Sequence, residues 1–244
     1  MASEVHALQS VDAGEPPALS LAADAVLLDI EGTISPVSFV RDTLFPYSKE
    51  RIADYVAVNS GNPIVQDILA RTSALADGAD ALGTLIGWQE HDVKAAPLKK
   101  LQGLIWESGY RSGELKSPIF PDAFQALKQW KAVGLPLYIY SSGSVQAQLL
   151  FFEFNFEGDL RPLFSGYFDT DIGAKTEPSS YTHISKAIHV QPKGIIFFSD
   201  NAKELAAARS AGFEVVHVVK DDTEGHPDFP QIADYREVAI TRRK

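Results

Sequence analysis

Ala25-Val26-Leu27-Leu28-Asp29-Ile30-Glu31-Gly32-Thr33 is the stretch that decides the reading of this chain. An apolar run too short for a helix stops abruptly at two carboxylates spaced i, i+2, followed by Gly-Thr, which is the pattern of a buried parallel strand delivering acids to a sheet edge. Open α/β sheets bind ligands outside the carboxyl ends of their strands, so Asp29 and Glu31 are expected to meet a substrate there. Taken alone, the pair also fits a turn or a helix cap, because Asp favours turns.

Outward from this strand the pattern changes to helical. Phe39-Val40-x-x-x-Leu44-Phe45, Ile52-x-x-Tyr55-Val56 and Ile64-Val65-x-x-Ile68-Leu69 repeat at helical spacing, and residues 38–114 contain no convincing strand. Gly109, Gly113 and Pro118 close this stretch. Beyond it the spacing predicts a helix over 124–134, a strand over 135–140, helices over 145–154 and 180–189, a strand over 195–198, a helix over 202–211 and a strand over 213–219. Alternating strands and helices predict an α/β fold with a doubly wound parallel sheet. The expected layout is a loose extension over 1–24, an α/β core from 25–37 and 115–244, and an all-helical insertion over 38–114.

Composition narrows the function. With 244 residues and 45% hydrophobic content, the chain can bury a substantial core. A formal net charge of −10 and a pI near 5.0 work against binding nucleic acid or an anionic membrane. Thr241-Arg242-Arg243-Lys244 is the one basic cluster and reads as a solvated tail. The absence of cysteine rules out disulfides, thiolate metal sites and a cysteine nucleophile, and fits the cytoplasm. Residues 1–24 carry Glu4, Asp12, Glu15 and Pro16-Pro17 instead of an unbroken apolar core, so no signal peptide is expected, and no apolar run approaches the ~20 residues of a membrane span. The expectation is a cytoplasmic monomer acting on a small molecule.

Three apolar strands end in polar groups: Asp29-x-Glu31, Ser141-Ser142-Gly143-Ser144 and Ser199-Asp200-Asn201. In a parallel sheet these endings fall at one edge. Acidic oxygens suit a hard cation such as Mg²⁺, while serine hydroxyls and backbone N–H groups at a helix start suit phosphate oxygens. Lys175, in Asp171-Ile172-Gly173-Ala174-Lys175-Thr176-Glu177-Pro178, is suited to neutralise both a phosphate and a nearby carboxylate nucleophile. Each group has a plainer reading as a cap or surface residue. Their order, each after an apolar strand, points to a phosphoryl-transfer site. His183, His189, His217 and His226 show no i, i+4 pairing and read as structural or surface residues.

This order resembles the four motifs of the haloacid dehalogenase (HAD) superfamily, with Asp29, Ser141, Lys175 and Asp200 in sequence. Most of its phosphatases carry Asp where this chain has Glu31, a departure that narrows the field. At closer range, residues 25–217 resemble the acireductone synthases, the bifunctional enolase-phosphatases of methionine salvage. The resemblance rests on Asp29-Ile30-Glu31-Gly32-Thr33, Phe39-Val40-Arg41-Asp42-Thr43-Leu44-Phe45-Pro46-Tyr47, Trp106-Glu107-Ser108-Gly109-Tyr110, Tyr140-Ser141-Ser142-Gly143-Ser144 and Ser199-Asp200-Asn201. It implies that residues 38–114 form a cap. It also implies Mg²⁺ held by Asp29, Asp200 and the Glu31 carbonyl, and substrate phosphate held by Ser141, Ser142 and Lys175. Asp29 would be the nucleophile and Glu31 a general acid–base, with the enolisation base unassigned. The substrate would be a phosphorylated 2,3-diketone carrying a methylthio group. Trp106 and Tyr110 are either substrate contacts or core, and helical spacing favours core. The competing readings are a capped HAD phosphatase acting on a sugar phosphate or nucleotide, and an HAD-like binding module without turnover.

Overall fold

The computed structural model describes residues 17–220 and 223–243. Among them a parallel sheet of six strands runs in the order β4 (Gly166–Phe168), β3 (Leu137–Tyr140), β2 (Ala25–Leu28), β5 (Ile195–Ser199), β6 (Glu214–Val218), β7 (Gln231–Ile232). The opening stretch is the central strand β2, buried along its whole length between β3 and β5, with Leu27 opposite both Tyr138 and Phe197. Side chains alternate across a strand, so both faces of β2 and β5 must be apolar. Val26, Leu28, Ile196 and Phe198 enter one cluster, beneath α6 (Pro121–Ala132) and α7 (Val145–Glu153). Ala25, Leu27, Ile195 and Phe197 enter the other, beneath α8 (Pro178–Ala187) and α9 (Ala202–Ser210). Helices on both faces of a parallel sheet make the expected doubly wound α/β fold.

Between β2 and β3 the chain is helical. A short α1 (Val37–Phe39) runs into a π-helical turn, Val40–Leu44, and on into α2 (Phe45–Val58), α3 (Pro63–Leu75), α4 (Ala81–Glu90) and α5 (Ala96–Ser112). Ile52, Val56, Val65, Ile68, Leu85, Leu98, Leu101 and Ile105 form a separate apolar cluster among these helices. Phe39, Leu44 and Tyr110 belong instead to the main core, so the helical layer is rooted in the sheet domain.

Both chain ends depart from expectation. Residues 1–16 of the expected loose extension and Lys244 lie outside the described residues. Within that extension, however, Leu19–Ala23 is strand β1, paired in parallel with β8 (Val238–Arg242). Half-buried Leu19 and Leu21 pack against the main core, and pairing satisfies backbone groups that a loose segment would leave to water. The basic end is not a free tail either: Arg243 donates to the Ala22 carbonyl at 2.9 Å and pairs with Glu214 at 2.7 Å. The sequence pattern does not predict the short β4 either, since three residues give no periodicity.

Tyr47 of α2 lies against Gly109 of α5, where a Cβ would come within 2.6 Å of the ring. The ring cannot yield freely, because Arg51 stacks 3.8 Å over it and Glu114 accepts its hydroxyl at 3.3 Å. Gly109→Leu, a good helix former, should therefore destabilise the protein by about 1–3 kcal/mol through overpacking. Chemical denaturation measures it, and an undiminished midpoint would show that Tyr47 and Gly109 are not in close contact.

Candidate active site

The loop after β2 is wound around one carbonyl. Ile30 C=O accepts from the N–H groups of Thr33, Ile34 and Ser35 at 3.2, 2.9 and 3.0 Å. Gly32 takes φ +73, which glycine adopts without strain. A Cβ there would also overlap the Asp200 carboxylate, so this glycine lets the ends of β2 and β5 approach. Thr33, fully buried, accepts the Asp200 N–H on its hydroxyl at 3.0 Å. Its carbonyl accepts the Tyr235 hydroxyl at 3.3 Å. His217 Nδ1 accepts the His226 N–H at 3.3 Å, which leaves Nε2 to donate to the Asp200 carbonyl at 2.9 Å. Asp200 is thus fixed through its own backbone from both sides.

Lys175 lies on the loop before α8 and is only 7% exposed. Three hydroxyls hold that loop: Tyr140 donates to Gly173 C=O at 2.8 Å, Ser180 to Ala174 C=O at 2.7 Å and Tyr181 to Lys175 C=O at 2.7 Å. The ammonium so placed sits 2.6 Å from Asp29 Oδ1 and 2.7 Å from Glu204 Oε2. Glu204 also accepts the Ser199 hydroxyl at 3.0 Å. Burial acts to lower the Lys175 pKa, but Asp29 and Glu204 outweigh it and hold the group charged. Burial raises Asp200 to about 6, with Asp29 adding to the effect. Burial and Asp29 likewise raise Glu204, against the pull of Lys175. Glu31 stands exposed at the rim, its pKa raised by partial burial and by Asp29.

The phosphate-side loop follows β3. Ser141 N–H extends the β3–β4 ladder to Phe168 C=O at 3.1 Å. Ser144 caps α7 by accepting the Ala147 N–H at 3.2 Å, and Asp169 accepts the Val145 N–H at 2.9 Å. Buried Gln148 ties Gly143 C=O to Phe168 C=O at 2.8 and 2.9 Å. Ser141 is half-buried and Ser142 exposed, both at the edge that carries Asp29. The structure therefore brings Asp29 and Lys175 into direct contact and packs Asp200 over Gly32. Glu31 stands on the same loop as Asp29, and Ser141 and Ser142 follow the neighbouring strand β3.

Sequence reasoning missed Glu204, while His217, expected to be a structural or surface residue, is structural. Asp200-x-x-x-Glu204 spans the start of α9, and that i, i+4 spacing was the available signal for Glu204. His217 faces Ser199 across β5 and β6, a register that no local pattern reveals. Trp106 and Tyr110 follow the core reading. Trp106 donates to Leu44 C=O at 2.7 Å, and buried Tyr110 stacks on Phe154 at 5.8 Å.

Among the described residues, no group of three or more His, Cys, Asp or Glu side chains is placed to hold a metal. A cation at this edge would draw its oxygens from the Asp29 and Asp200 carboxylates and the Glu31 carbonyl. These oxygens suit a hard cation that keeps several waters, and such a cation would offset an excess of carboxylate charge around one buried ammonium. Asp29, Glu31 and Asp200 all act on one another there, which is the repulsion that such an ion relieves. No described helix is long and apolar enough to cross a membrane.

Comparison with known proteins agrees with this geometry. The family model of haloacid dehalogenase-like hydrolases matches residues 23–212. An enolase-phosphatase E1 of Bradyrhizobium sp. is 55% identical over 227 residues, covering 93% of this chain and 99% of the relative. An enolase-phosphatase E1 of Aquifex aeolicus is 47% identical, covering 88% of this chain and 99% of the relative. The crystal structure of the UTR4 protein of Saccharomyces cerevisiae superposes with a TM-score of 0.75 at 32% identity, over 87% of this chain and 98% of that one.

Gly32→Ala tests the approach of Asp200. The new Cβ must displace the Asp200 carboxylate while the backbone is strained by about 1–3 kcal/mol, so Mg²⁺ affinity should fall by about tenfold or more. Isothermal titration with Mg²⁺ measures this, and an unchanged affinity would separate Asp200 from the cation.

Proposed function

The chain belongs to the haloacid dehalogenase-like hydrolases, within the enolase-phosphatase E1 family, and from that membership we propose how its active edge works. It is a phosphatase of the hydrolase class with an enolase activity. Its substrate is a phosphorylated 2,3-diketo-5-methylthiopentane, enolised and then dephosphorylated to the acireductone in cytoplasmic methionine salvage. The helices over residues 38–114 serve as the cap over the α/β core. The observation that carries this reading is the buried contact of Lys175 with Asp29 at the carboxyl end of the central strand, 2.6 Å apart.

Asp29 is the nucleophile. One of its oxygens is held by Lys175, and the other is left to attack phosphorus and form an aspartyl-phosphate, dividing one hard displacement into two easier ones. Lys175, held charged by Asp29 and Glu204, screens the phosphate dianion from the attacking carboxylate. Ser141 and Ser142 direct their hydroxyls, and Ser142 its backbone N–H, at the remaining phosphate oxygens. Glu31 gives a proton to the leaving oxygen as the P–O bond breaks, a role that the upward direction of its pKa favours. The resulting Glu31 carboxylate then removes a proton from the water that cleaves the aspartyl-phosphate. Mg²⁺, held by Asp29, Asp200 and the Glu31 carbonyl, would supply further charge neutralisation of the phosphate.

Purified protein supplied with the phosphorylated diketone and Mg²⁺ should produce both acireductone absorbance and inorganic phosphate. Asp29→Asn should remove phosphate release with the fold retained, because a neutral amide cannot attack phosphorus. Substantial phosphate release by this variant would exclude Asp29 as the nucleophile.

Glu31→Gln should keep Mg²⁺ binding and slow turnover of the natural substrate by about 10²–10⁴-fold. Formation of the aspartyl-phosphate from an aryl phosphate, whose leaving group departs without a proton, should slow far less. Equal slowing on both substrates in single-turnover experiments would remove Glu31 from the acid role.

A further inference from the structure

The turn after β3 that carries Ser141 and Ser142 is held by a side chain of the helix it leads into. Gln148, in the first turn of α7, is 2% exposed, and its Nε2 donates to Gly143 C=O at 2.8 Å and to Phe168 C=O at 2.9 Å. Both amide hydrogens are spent on backbone carbonyls of two different segments, the serine turn and the end of β4. The Oε1 of the same amide meets no donor among the described residues. A buried oxygen left unsatisfied is a cost, which the two donated bonds must offset. The amide at this position is therefore held by its donors alone.

Those two bonds set the shape of the serine turn. A trans peptide points its N–H opposite to its C=O, so drawing Gly143 C=O onto the buried amide turns Ser144 N–H away from it. Gly143 N–H donates to Ser141 Oγ at 3.3 Å, which leaves the Ser141 hydroxyl hydrogen for an outside acceptor. Phe168 C=O, the second anchor, also accepts Ser141 N–H at 3.1 Å. Its neighbour Asp169 accepts Val145 N–H at 2.9 Å and Asp171 N–H at 3.0 Å, and Asp171 lies on the loop that carries Lys175. The end of β4 thus joins the serine turn to the lysine loop, and Gln148 is the side chain that closes the turn onto it. The cation side shares none of these bonds, since Asp200 is held by Thr33 and His217.

We propose that Gln148 is a positioning residue for the substrate phosphate: by tying Gly143 to Phe168 it keeps the Ser141 and Ser142 hydroxyls at the spacing from Lys175 that one phosphate group spans. This rests on the phosphate-binding role given to those serines above. Gln148 does not touch the substrate and acts through the turn. With the clamp in place the donors are preorganised, and phosphate binding does not have to order them. Without it, a turn that contains Gly143 and the exposed Ser142 and Ser144 is ordered anew at each binding event, and affinity for phosphate falls.

The test uses the full-length protein with two variants, assayed on the diketone phosphate with Mg²⁺ and with inorganic phosphate as inhibitor. Gln148→Met keeps an unbranched side chain that suits a helix and removes both donors. Gln148→Asn keeps the amide but is too short to span both carbonyls, and it serves where the first variant does not fold. Inhibition by inorganic phosphate should weaken by about 5–20-fold, with KM rising in parallel, the scale of one or two net hydrogen bonds. Mg²⁺ affinity, measured by isothermal titration, should stay within about twofold of wild type. A glutamine that only supports packing would lower the melting temperature and the yield of active protein with phosphate inhibition and KM unchanged, and that result would overturn the inference. So would Mg²⁺ affinity falling as far as phosphate affinity, since the damage would then cross the whole edge. Ser141→Ala tests the reading beneath: unchanged phosphate inhibition in that variant would remove the serine turn as the phosphate site, and the inference with it. Weakened inhibition there beside unchanged inhibition in the Gln148 variants would overturn the role of Gln148 alone.

Discussion

Burying the Lys175 ammonium between two carboxylates constrains everything around it. A charge taken out of water is costly unless its partners are placed well, and removing one partner of such a pair typically costs about 3–5 kcal/mol. Asp29 comes from the end of β2 and Glu204 from the first turn of α9, while the lysine itself rides on a loop with no regular structure. Three hydroxyls, from Tyr140, Tyr181 and Ser180, convert that loop into a rigid mount. The aromatic contacts of Tyr181 with Tyr140, Phe197 and Phe213 carry this rigidity into the core beneath the sheet. The catalytic charge arrangement and the packing of one sheet face are in this way a single object.

The parts of the fold that the sequence displayed were those with strong local periodicity. β2 and β5 are buried on both faces, so each reads as an unbroken apolar run, and each ends in the acids that mark its edge. Asp29, Lys175 and Asp200 could be named because each follows such a run or lies between two of them. What stayed hidden depends on pairing between distant segments. β1 and β8 are half-exposed and modest in hydrophobicity, and only their mutual register makes them strands. Glu204 has nothing in its local sequence to set it apart from a surface acid, and its role comes from the ammonium that the neighbouring loop delivers to it. His217 reads from the sequence only as structural or surface, because its partners, the Asp200 carbonyl and the His226 N–H, are backbone groups that a sequence does not advertise.

The stretches that carried the family resemblance in the helical layer turn out to pack on one another. Phe45 meets Trp106, Tyr47 meets Gly109, and Trp106 satisfies Leu44 C=O at the end of the π-helical turn. A π turn inserts an extra residue into a helix and leaves its carbonyl ladder out of step, so an outside donor is needed where it ends. The tryptophan supplies it. These signature residues fix how the helical layer is mounted on the sheet, and so fix where residues of that layer stand relative to Glu31.

The β1–β8 pair joins segments more than two hundred residues apart, Leu19 opposite Val238 and Ala23 opposite Arg242. Contacts of such separation form late, since the intervening loop must be closed by other structure before they repay its entropy. During synthesis β1 emerges before every other described element and waits through all of them for its partner, exposing Leu19 and Leu21 meanwhile. Its pairing with β8 is therefore the last strand pairing that synthesis permits among the described elements, and until β8 is made β1 is an unpaired strand open to strand-seeking neighbours.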